Sequence, residues 1–381
     1  MKKVVLCLSC VVSITLIASI VLLNSLNSDS LSIKANDNIT WYHFPMVEPT
    51  TSTHGSKEFW TSSADNCQSH VLVDPGEEYY VEKDFSTYAS FQTLDRDDDR
   101  YIPSKDEQHG ITPVITDSSV TYGLYPQTHV NDETLIFELD TSAEEISNGW
   151  YTYNDDYYAK LKATPISGAY CFDDGTLIVF GETYWFKCEP ITWKILSNNS
   201  GQYYLLSSVS LDACKYYRSE SERTIGEETI YANNYEYSDV RNFLINDFYN
   251  SAFMLNTSYV ELTTVDNSAS TTISNDNMYA CNDTLDYVFL PSYKDYINPN
   301  YGFPNKTSSA RARYCTTTDW ARARGLFVSS SIENNANYLT RSPSSNPSYK
   351  ISRVCPDGSI DWYIVDTSYG VRPAIMFDMH A

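Results

Sequence analysis

The stretch at residues 181–196, GETYWFKCEPITWKIL, constrains the fold more than any other part of the sequence. Large apolar residues alternate with other residues on both sides of Pro190, and this period of two is typical of a strand on a hydrophobic core. Pro190 has no N–H to donate, so it predicts a bulge or a corner in that strand. Because Trp185 and Trp193 bury the most area, we expect the core to form around them.

The first 35 residues predict export. A short basic start, with Lys2 and Lys3, precedes an uncharged apolar run at residues 4–23, and Ile33-Lys34-Ala35 offers a cleavage site before Asn36. A cleaved signal peptide and an uncleaved signal anchor both fit this pattern. Either way we expect an extracellular or cell-surface protein, secreted or anchored by its N-terminal segment, which would touch the membrane only if uncleaved.

The net charge and the composition limit the classes of partner that the chain could bind. The 381 residues carry a formal net charge of −23, which repels phosphate backbones and disfavours nucleic acid as a partner. A hydrophobic content of 42% indicates a globular protein. The chain has 32 tyrosines against 15 phenylalanines, a balance that suits half-exposed β surfaces more than an apolar interior.

Residues 36–115 are polar and turn-rich, and they predict a small, irregular β-type region. Cys67 and His70, with His43 and His54 upstream, resemble half of a zinc knuckle. A closed zinc site needs four ligands at workable spacing, and the second half of such a motif is missing. The pattern therefore favours a degenerate, metal-free remnant.

A second metal pattern lies near the end of this region. Four carboxylates occupy the first, third, fifth and twelfth positions of a calcium-type loop: Asp95, Asp97, Asp99 and Asp106. Arg100, however, replaces the glycine that the sharp turn of such a loop requires, and Pro103 follows. A solvated acidic loop is the favoured interpretation, and we predict no metal or other cofactor.

From residue 116 the sequence becomes β-rich and predicts one α+β domain over 116–381. Residues 122–127, YGLYPQ, predict a short strand ended by Pro126, and the pairs Asp174-Gly175 and Asp357-Gly358 predict hairpin turns. Ser238 is a good N-cap for a helix with apolar residues at helical spacing. A second short helix is predicted from Thr318 to Gly325.

Four arginines are the candidate binding residues. Arg322 and Arg324 lie in the only basic cluster of this acidic chain, and Arg341 and Arg372 lie in the motifs YLTRSPSS and GVRPAI. Guanidinium groups bind anionic ligands, but structural ion pairs are the favoured alternative.

Histidine and cysteine usage argues against catalysis. All six histidines lie outside residues 130–379, so we expect the β-rich core to have no histidine for a triad, a Cys–His pair or a metal. We therefore predict no catalytic residue. A pair of catalytic carboxylates, as in glycosidases, remains an open alternative. Seven cysteines follow the leader, including a mid-strand Cys188 for which a buried thiol is expected, and their pairing is open.

An ordered set of motifs carries a family resemblance. It consists of YGLYPQ (122–127), YWFKCEPITWKIL (184–196), YSDVRNFLINDFYNSAF (237–253), VDNS (265–268), DYVFLPSYKDY (286–296), YLTRSPSS (338–345) and GVRPAI (370–375). In this order they resemble an exported bacterial domain-of-unknown-function family, number 6273, over about residues 116–377. That family is similar to the C-type-lectin-like fold of formylglycine-generating enzymes. The resemblance implies a twisted antiparallel sheet with one or two flanking helices and long loops, and no established activity.

The predicted function is a non-catalytic binding or interaction protein of a bacterial surface, with a glycan or another cell-envelope component as the expected ligand. The calcium-binding triplets of sugar-binding C-type lectins do not occur in the sequence. Two alternatives stay open: a carboxylate-based enzyme of carbohydrate or cell-wall chemistry, and a purely structural surface protein.

Overall fold

The chain divides into two compact units, residues 1–103 and residues 104–381. The structure, a computed structural model, describes residues 104–380 except 148, 167–169, 330 and 333, together with four short backbone strands before residue 104. Those four strands are β1 (Lys3–Val5), β2 (Lys57–Ser62), β3 (Gln68–Val73) and β4 (Glu78–Tyr80). Strand β1 pairs with β4 in parallel, and β2 pairs with β3 in antiparallel.

Most of the predictions for the first 103 residues fall outside the described residues. These include the cleavage site before Asn36, three of the four possible zinc-knuckle ligands, and Asp95, Asp97 and Asp99. His70 lies in β3, but only its backbone is described. Among the helices that the structure describes, none has the length and apolar character needed to cross a membrane.

The second unit is built on a ten-stranded sheet, whose described pairings are all antiparallel. Its strands are β5 (Val114–Ile115), β6 (Ser119–His129), β7 (Glu144–Ser147), β8 (Trp150–Tyr153), β9 (Asp156–Lys162), β10 (Thr183–Asn199), β11 (Gln202–Ser207), β15 (Val260–Glu261), β18 (Val288–Phe289) and β23 (Ala374–Asp378). Strand β10 is central, because β6, β9 and β11 all pair with it.

A five-stranded sheet and two ribbons complete the β structure. The five strands are β12 (Asp212–Lys215), β19 (Tyr338–Pro343), β20 (Lys350–Val354), β21 (Ile360–Ile364) and β22 (Ser368–Val371), in the order β12-β22-β19-β20-β21. The ribbons pair β13 (Arg223–Ile225) with β14 (Glu228–Ile230), and β16 (Thr263–Val265) with β17 (Thr284–Asp286). Strands β19 and β22 pair in parallel, and the other described pairings of the five-stranded sheet are antiparallel. This combination of mainly antiparallel sheets with few helices is an α+β fold, as predicted.

The described helices are few and mostly short. They are α1 (Lys105–Gln108), α2 (Glu133–Ser142), α3, a continuous run of Asp239–Asn242, a π-helical Phe243–Phe248 and Tyr249–Ala252, and α4 (Asp319–Ala323). Single 3₁₀ turns lie at Ala269–Thr271, Asp295–Ile297, Pro299–Tyr301 and Arg311–Arg313. Both predicted helices are confirmed, with Ser238 and Thr318 as N-caps whose side chains accept a backbone hydrogen bond from Arg241 and Ala321.

Strand β10 confirms the prediction from the opening motif. It runs for 17 residues through Pro190, and its register against β6 shifts between Pro190 and Thr192, as expected for a bulge. The prediction that Pro126 ends the neighbouring strand is wrong, because β6 continues to His129. A second register shift between Lys187 and Cys188 accommodates Pro126, which cannot donate to the ladder.

The two tryptophans of β10 are both buried, at 4% exposure for Trp185 and no exposure for Trp193. Trp193 belongs to the main core between the sheet and helix α3, where its ring stacks on Phe253. Trp185 instead belongs to a smaller cluster with Leu139 of helix α2. The bulge beside Pro190 shifts the alternation by one residue, so Trp193 lies on the same face as Phe186 and Trp185 lies on the opposite face. The main core therefore contains Trp193 but not Trp185.

Tyrosine serves the half-exposed surface, as predicted, and also the core. Ten of the described tyrosines are buried, and the others are partly exposed or exposed. Several of their hydroxyls donate to backbone carbonyls, as in the bonds from Tyr122 to Asn256 and from Tyr338 to Arg313. A buried phenol can fill the core with its ring and satisfy a loop carbonyl with its hydroxyl. Several buried tyrosines of this protein therefore connect loops to the core through hydrogen bonds.

Candidate functional site

Three of the four candidate arginines are buried, and two of these, Arg341 and Arg372, contact loops and sheets of the second unit. Arg341 forms an ion pair of 3.3 Å with Asp295 and donates to the backbone carbonyls of Leu290 and Asp266. Arg372 donates to the carbonyl of Ser207 at 2.9 Å and to the hydroxyl of Tyr338 at 3.1 Å. These contacts tie loops to the sheets, which is a structural role.

The other two arginines extend from helix α4 and its C-cap. The ion pair between Arg324 Nε and Asp212 Oδ1 measures 2.5 Å, and the Asp212 side chain is fully buried. Asp212 Oδ2 also accepts hydrogen bonds from the hydroxyl of Tyr125 at 2.6 Å and from the indole of Trp320 at 3.0 Å. The charge of Asp212 raises the pKa of Arg324, while burial, followed by the charge of Asp212, raises that of Tyr125.

Arg322 and Asp319, also in α4, hold a hairpin in place. The carboxylate of Asp319 accepts backbone hydrogen bonds from His129 at 3.1 Å and Asp173 at 2.8 Å. Arg322 forms an ion pair of 2.6 Å with Asp173 and donates to the carbonyl of Cys171. Burial raises the pKa of Asp319 despite the two N–H donors. Residues 171–173 are thus fixed to the end of strand β6.

His129 and Asp174 form the second anchor of this hairpin. The distance from His129 Nδ1 to Asp174 Oδ2 is 2.9 Å, and the same oxygen accepts from the Asn131 amide at 2.8 Å. The imidazole stacks on Phe172 with 4.1 Å between ring centroids. Partial burial alone would raise the pKa of Asp174, but the Thr176 backbone N–H and His129 lower it to about 2.

The expectation that the β-rich core has no histidine is wrong. His129 is the last residue of β6, one position before the histidine-free stretch, and it is 9% exposed. His109 is also buried, and its Nε2 lies 3.4 Å from Asp156 Oδ1. Both imidazoles therefore pair with carboxylates inside the second unit, although neither pair has a serine or cysteine nucleophile among its described hydrogen-bond partners.

The anchored hairpin presents an apolar surface to solvent. It spans residues 170–182, with the predicted Asp174-Gly175 turn confirmed by the backbone bond from Gly175 N–H to the Phe172 carbonyl. Leu177, Val179 and Phe180 are 48%, 44% and 73% exposed, whereas Ile178 between them is fully buried. We call the three exposed side chains the hairpin patch. They do not belong to the core, so they are free to contact a partner.

Further hydrogen bonds hold the backbone of the hairpin patch in one conformation. The hydroxyl of Tyr184 accepts from the Val179 N–H at 3.0 Å and donates to the Leu177 carbonyl at 3.3 Å. Gly181 N–H donates to the Ala163 carbonyl at 2.8 Å. The hairpin is therefore preorganised, which lowers the entropy cost of binding through its exposed side chains.

Only one of the four weak metal candidates, Asp106, lies within the described residues. Asp106 lies exposed in the first turn of α1, where Ser104 and Glu107 form a capping box. Its three companions precede the described part of the second unit. Within the residues that the structure describes, no group of three histidine, cysteine, aspartate or glutamate side chains has an arrangement suited to a metal ion.

Sequence reasoning did not find the hairpin anchor. Arg322 was a candidate, but its partner Asp173 lies 149 positions earlier, and His129 lies 190 positions before Asp319. The one local signal was the Asp-Gly turn itself, which placed Asp174 at a hairpin tip. The local sequence does not predict that Phe180 is exposed, because a phenylalanine at this position could equally be buried.

One comparison with known proteins gives a match. Residues 200–379 match a family model described as Domain of unknown function (DUF6273). This bears out the family resemblance over the matched range, which contains α4, Arg341 and Arg372, whereas the motifs at 122–127 and 184–196 lie before it. No curated protein and no solved structure gives a significant match to the chain.

Proposed function

We propose that the chain is an exported bacterial surface protein of non-catalytic binding type, whose ligand is a glycan or another cell-envelope component. The observation that carries the proposal is the exposure of Phe180, at 73%, on a hairpin that Asp319, Arg322 and Tyr184 fix in place. An exposed aromatic ring offers a flat apolar face, and carboxylates beside it accept hydrogen bonds from hydroxyl groups.

The surroundings of the hairpin patch fit a hydroxyl-rich ligand. The Asp173 side chain is 64% exposed on the same hairpin, and Glu182 is exposed just beyond Phe180. The net charge of −23 disfavours phosphate-rich polymers and leaves neutral or cationic ligands as the better match. Export, and the cell surface as location, follow in this proposal from the basic start and the apolar run at residues 4–23.

The C-type-lectin-like fold is part of the same proposal. The motif GVRPAI supports it, since its residues end strand β22 and begin strand β23, next to β11 in the large sheet. An experimental structure of the second unit whose sheets superpose on those of C-type-lectin-like proteins would support this part of the proposal. A different strand order would contradict it.

A binding experiment tests the function. The full chain is applied to an array of neutral, cationic and acidic cell-wall glycans, and the affinity for retained ligands is compared between wild type and Phe180→Ala. Loss of the ring contact should weaken binding roughly tenfold or more, as expected for removing a buried aromatic contact. Phe137→Ala is the matched control, because Phe137 is 67% exposed on helix α2, and its affinity should stay within about twofold.

Three outcomes would overturn the proposal. If no glycan or envelope fraction is retained by the wild type, the structural alternative is favoured. If Phe180→Ala and Phe137→Ala bind equally well, the hairpin patch is not the contact surface. If the retained glycan is hydrolysed, the carboxylate-based enzyme is favoured instead.

A further inference from the structure

Positive charge collects around one turn of this acidic protein, on the side of the large sheet opposite Trp193. Lys194 in β10 pairs directly with Leu206 in β11, so both side chains lie on the same face. Leu206 belongs to an apolar cluster with Tyr296 and Phe303. The turn that includes Pro299–Tyr301 and ends at Phe303 packs over this cluster, and the Lys194 side chain reaches it.

Lys194 has no acidic partner among the residues that the structure describes. Its Nζ lies 4.6 Å from the ring centroid of Phe303, and the side chain is half-buried. A Cβ at Gly302 would lie 3.6 Å from the same nitrogen, so the turn closes over the ammonium group. No carboxylate of the described residues pairs with Nζ, and its described interactions are the ring and the repulsion from Arg372.

Two buried guanidinium groups lie beside the same turn. Arg313 donates to the carbonyls of Tyr296 and Pro304, on either side of the turn, at 3.0 and 3.4 Å. Arg372 belongs to the same region through the hydroxyl of Tyr338. Neither arginine forms an ion pair with a carboxylate of the described residues; their described acceptors are backbone carbonyls and one phenol.

An acidic side chain on this face, Asp295, already has partners. Asp295 pairs with Arg341 at 3.3 Å and accepts hydrogen bonds from the N–H and hydroxyl of Ser292 at 2.7 and 2.8 Å. Burial, followed by the charge of Arg372, lowers the pKa of Lys194, as expected when two cations approach without an anion between them. A half-buried cation without a paired anion is stabilised when an anion binds next to it.

We propose that Lys194, at the turn of Gly302 and Phe303, forms a binding site for one anionic group, a phosphate or a carboxylate, on a small ligand. The ammonium group contacts the anion directly, and the charges of Arg372 and Arg313 beneath the turn strengthen the attraction. The Phe303 ring lies against the ammonium group and covers one side of the site. This site is separate from the hairpin patch and does not rest on the proposed glycan recognition.

Thermal unfolding of the full chain in phosphate tests the proposal. The ionic strength is held constant with chloride, so that general screening does not change. The unfolding temperature of the wild type should rise with inorganic phosphate, because a ligand that binds only the folded state stabilises it. Lys194→Met should weaken the apparent phosphate affinity at least tenfold, and Lys194→Arg should retain most of it.

Lys187→Met is the matched control. Lys187 lies on the same strand, but its Nζ is paired with Asp156 at 3.2 Å, so its loss should leave the phosphate response unchanged. In the chloride buffer without phosphate, Lys194→Met should be at least as stable as the wild type, since it removes a repulsion with Arg372. That expectation separates a binding role of Lys194 from a structural one.

Glucuronate and glucose distinguish the source of the anionic group. A response to both glucuronate and phosphate, but not to neutral glucose, identifies a general anion site, and a response to one anion assigns the ligand class. The proposal is overturned if neither anion stabilises the wild type, or if Lys194→Met responds as the wild type does. It is also overturned if Lys194→Met is destabilised in the chloride buffer alone and Lys194→Arg loses the response.

Discussion

The side-chain amide of Gln127 donates a hydrogen bond of 2.9 Å to the backbone carbonyl of Glu189, across the two central strands of the large sheet. The same nitrogen lies 3.2 Å from the carbonyl of Pro190. Each of these strands contains a proline, Pro126 and Pro190, which removes one N–H from the ladder between them. The amide of Gln127 supplies the missing donor, so two prolines are tolerated at the centre of the sheet.

Gln127→Leu should therefore destabilise the fold. The substitution leaves two carbonyls without this donor at a half-buried position, and a lost hydrogen bond of this kind costs about 1–3 kcal/mol. Urea unfolding followed by tryptophan fluorescence measures the change. Gln202→Leu is the control, since Gln202 is exposed and its one side-chain bond, to Glu261, is 3.5 Å long. Equal effects of the two substitutions would contradict the role assigned to Gln127.

The pair of Asp212 and Arg324 should contribute far more to stability than a surface ion pair. Asp212→Asn removes the charge that faces Arg324, whose side chain is only 32% exposed. Loss of one partner of a buried pair costs about 3–5 kcal/mol, and the lower end is expected here because Arg324 is partly hydrated. The double variant Asp212→Asn/Arg324→Met should recover part of this loss, as measured by a double-mutant cycle in urea.

Asp361→Asn provides the comparison for that cycle. Asp361 pairs with Arg353 at 2.7 Å, but its side chain is 45% exposed. Screening by water limits such a pair to about 1 kcal/mol or less. If the Asp212 and Asp361 variants lose the same free energy of unfolding, the buried pair of Asp212 and Arg324 contributes no more to stability than the partly exposed pair of Asp361 and Arg353. That result would contradict the prediction.

The contribution of Asp174 should depend on pH. Its pKa in the folded protein is about 2, below the ordinary value of 3.8, so its ionised form is stabilised by folding. This stabilisation is complete above about pH 4, the pKa of an unfolded aspartate, and is lost as the pH falls towards 2. Because the residue is partly exposed, the contribution at pH 7 is expected to be about 1 kcal/mol.

Asp174→Asn tests this dependence. The difference in unfolding free energy between wild type and variant should be largest at neutral pH and should shrink between pH 4 and pH 2. Asp117→Asn, at an exposed position, should show no such trend. A difference that is constant with pH would mean that the stabilisation comes from neutral hydrogen bonds and not from the charge of Asp174.

The parts of the fold that were predictable are those set by neighbouring residues. The alternation around Pro190, the N-caps Ser238 and Thr318, and the Asp-Gly turns each act within a few positions, and each is confirmed. Helix α2 was missed although Asp132 caps it, with its carboxylate accepting from Thr134 and Leu135. The apolar stripe of α2 is short, and Phe137 faces solvent, so the helical period is weak.

The candidate site could be predicted only in part, because its partners are distant in sequence. Arg322 and Arg324 were identified as residues of interest, but their carboxylate partners Asp173 and Asp212 are set by packing. Composition was also an unreliable guide to His129, which adjoins the histidine-free stretch and yet lies in the core. Long-range pairing of this kind leaves no spacing signal in a single sequence.

Gly123 should tolerate a larger side chain poorly. It lies within strand β6 at a φ of +78°, and a Cβ there would approach the Phe253 ring to 2.7 Å and the Ala252 carbonyl oxygen to 2.9 Å. Its N–H also donates to the Gly110 carbonyl at 2.9 Å. Gly123→Ala must therefore bear both backbone strain, about 1–2 kcal/mol, and overpacking, about 1–3 kcal/mol.

Gly175→Ala isolates the first of these two costs. Gly175 has a φ of +91° at the tip of the hairpin, and no atom lies within 4 Å of a Cβ built there. Its substitution should cost about 1–2 kcal/mol, from backbone strain alone. The difference between the two variants in urea unfolding then measures how tightly helix α3 packs on the large sheet. A difference near zero would mean that Phe253 moves aside freely, and that the contact of α3 with β6 is loose.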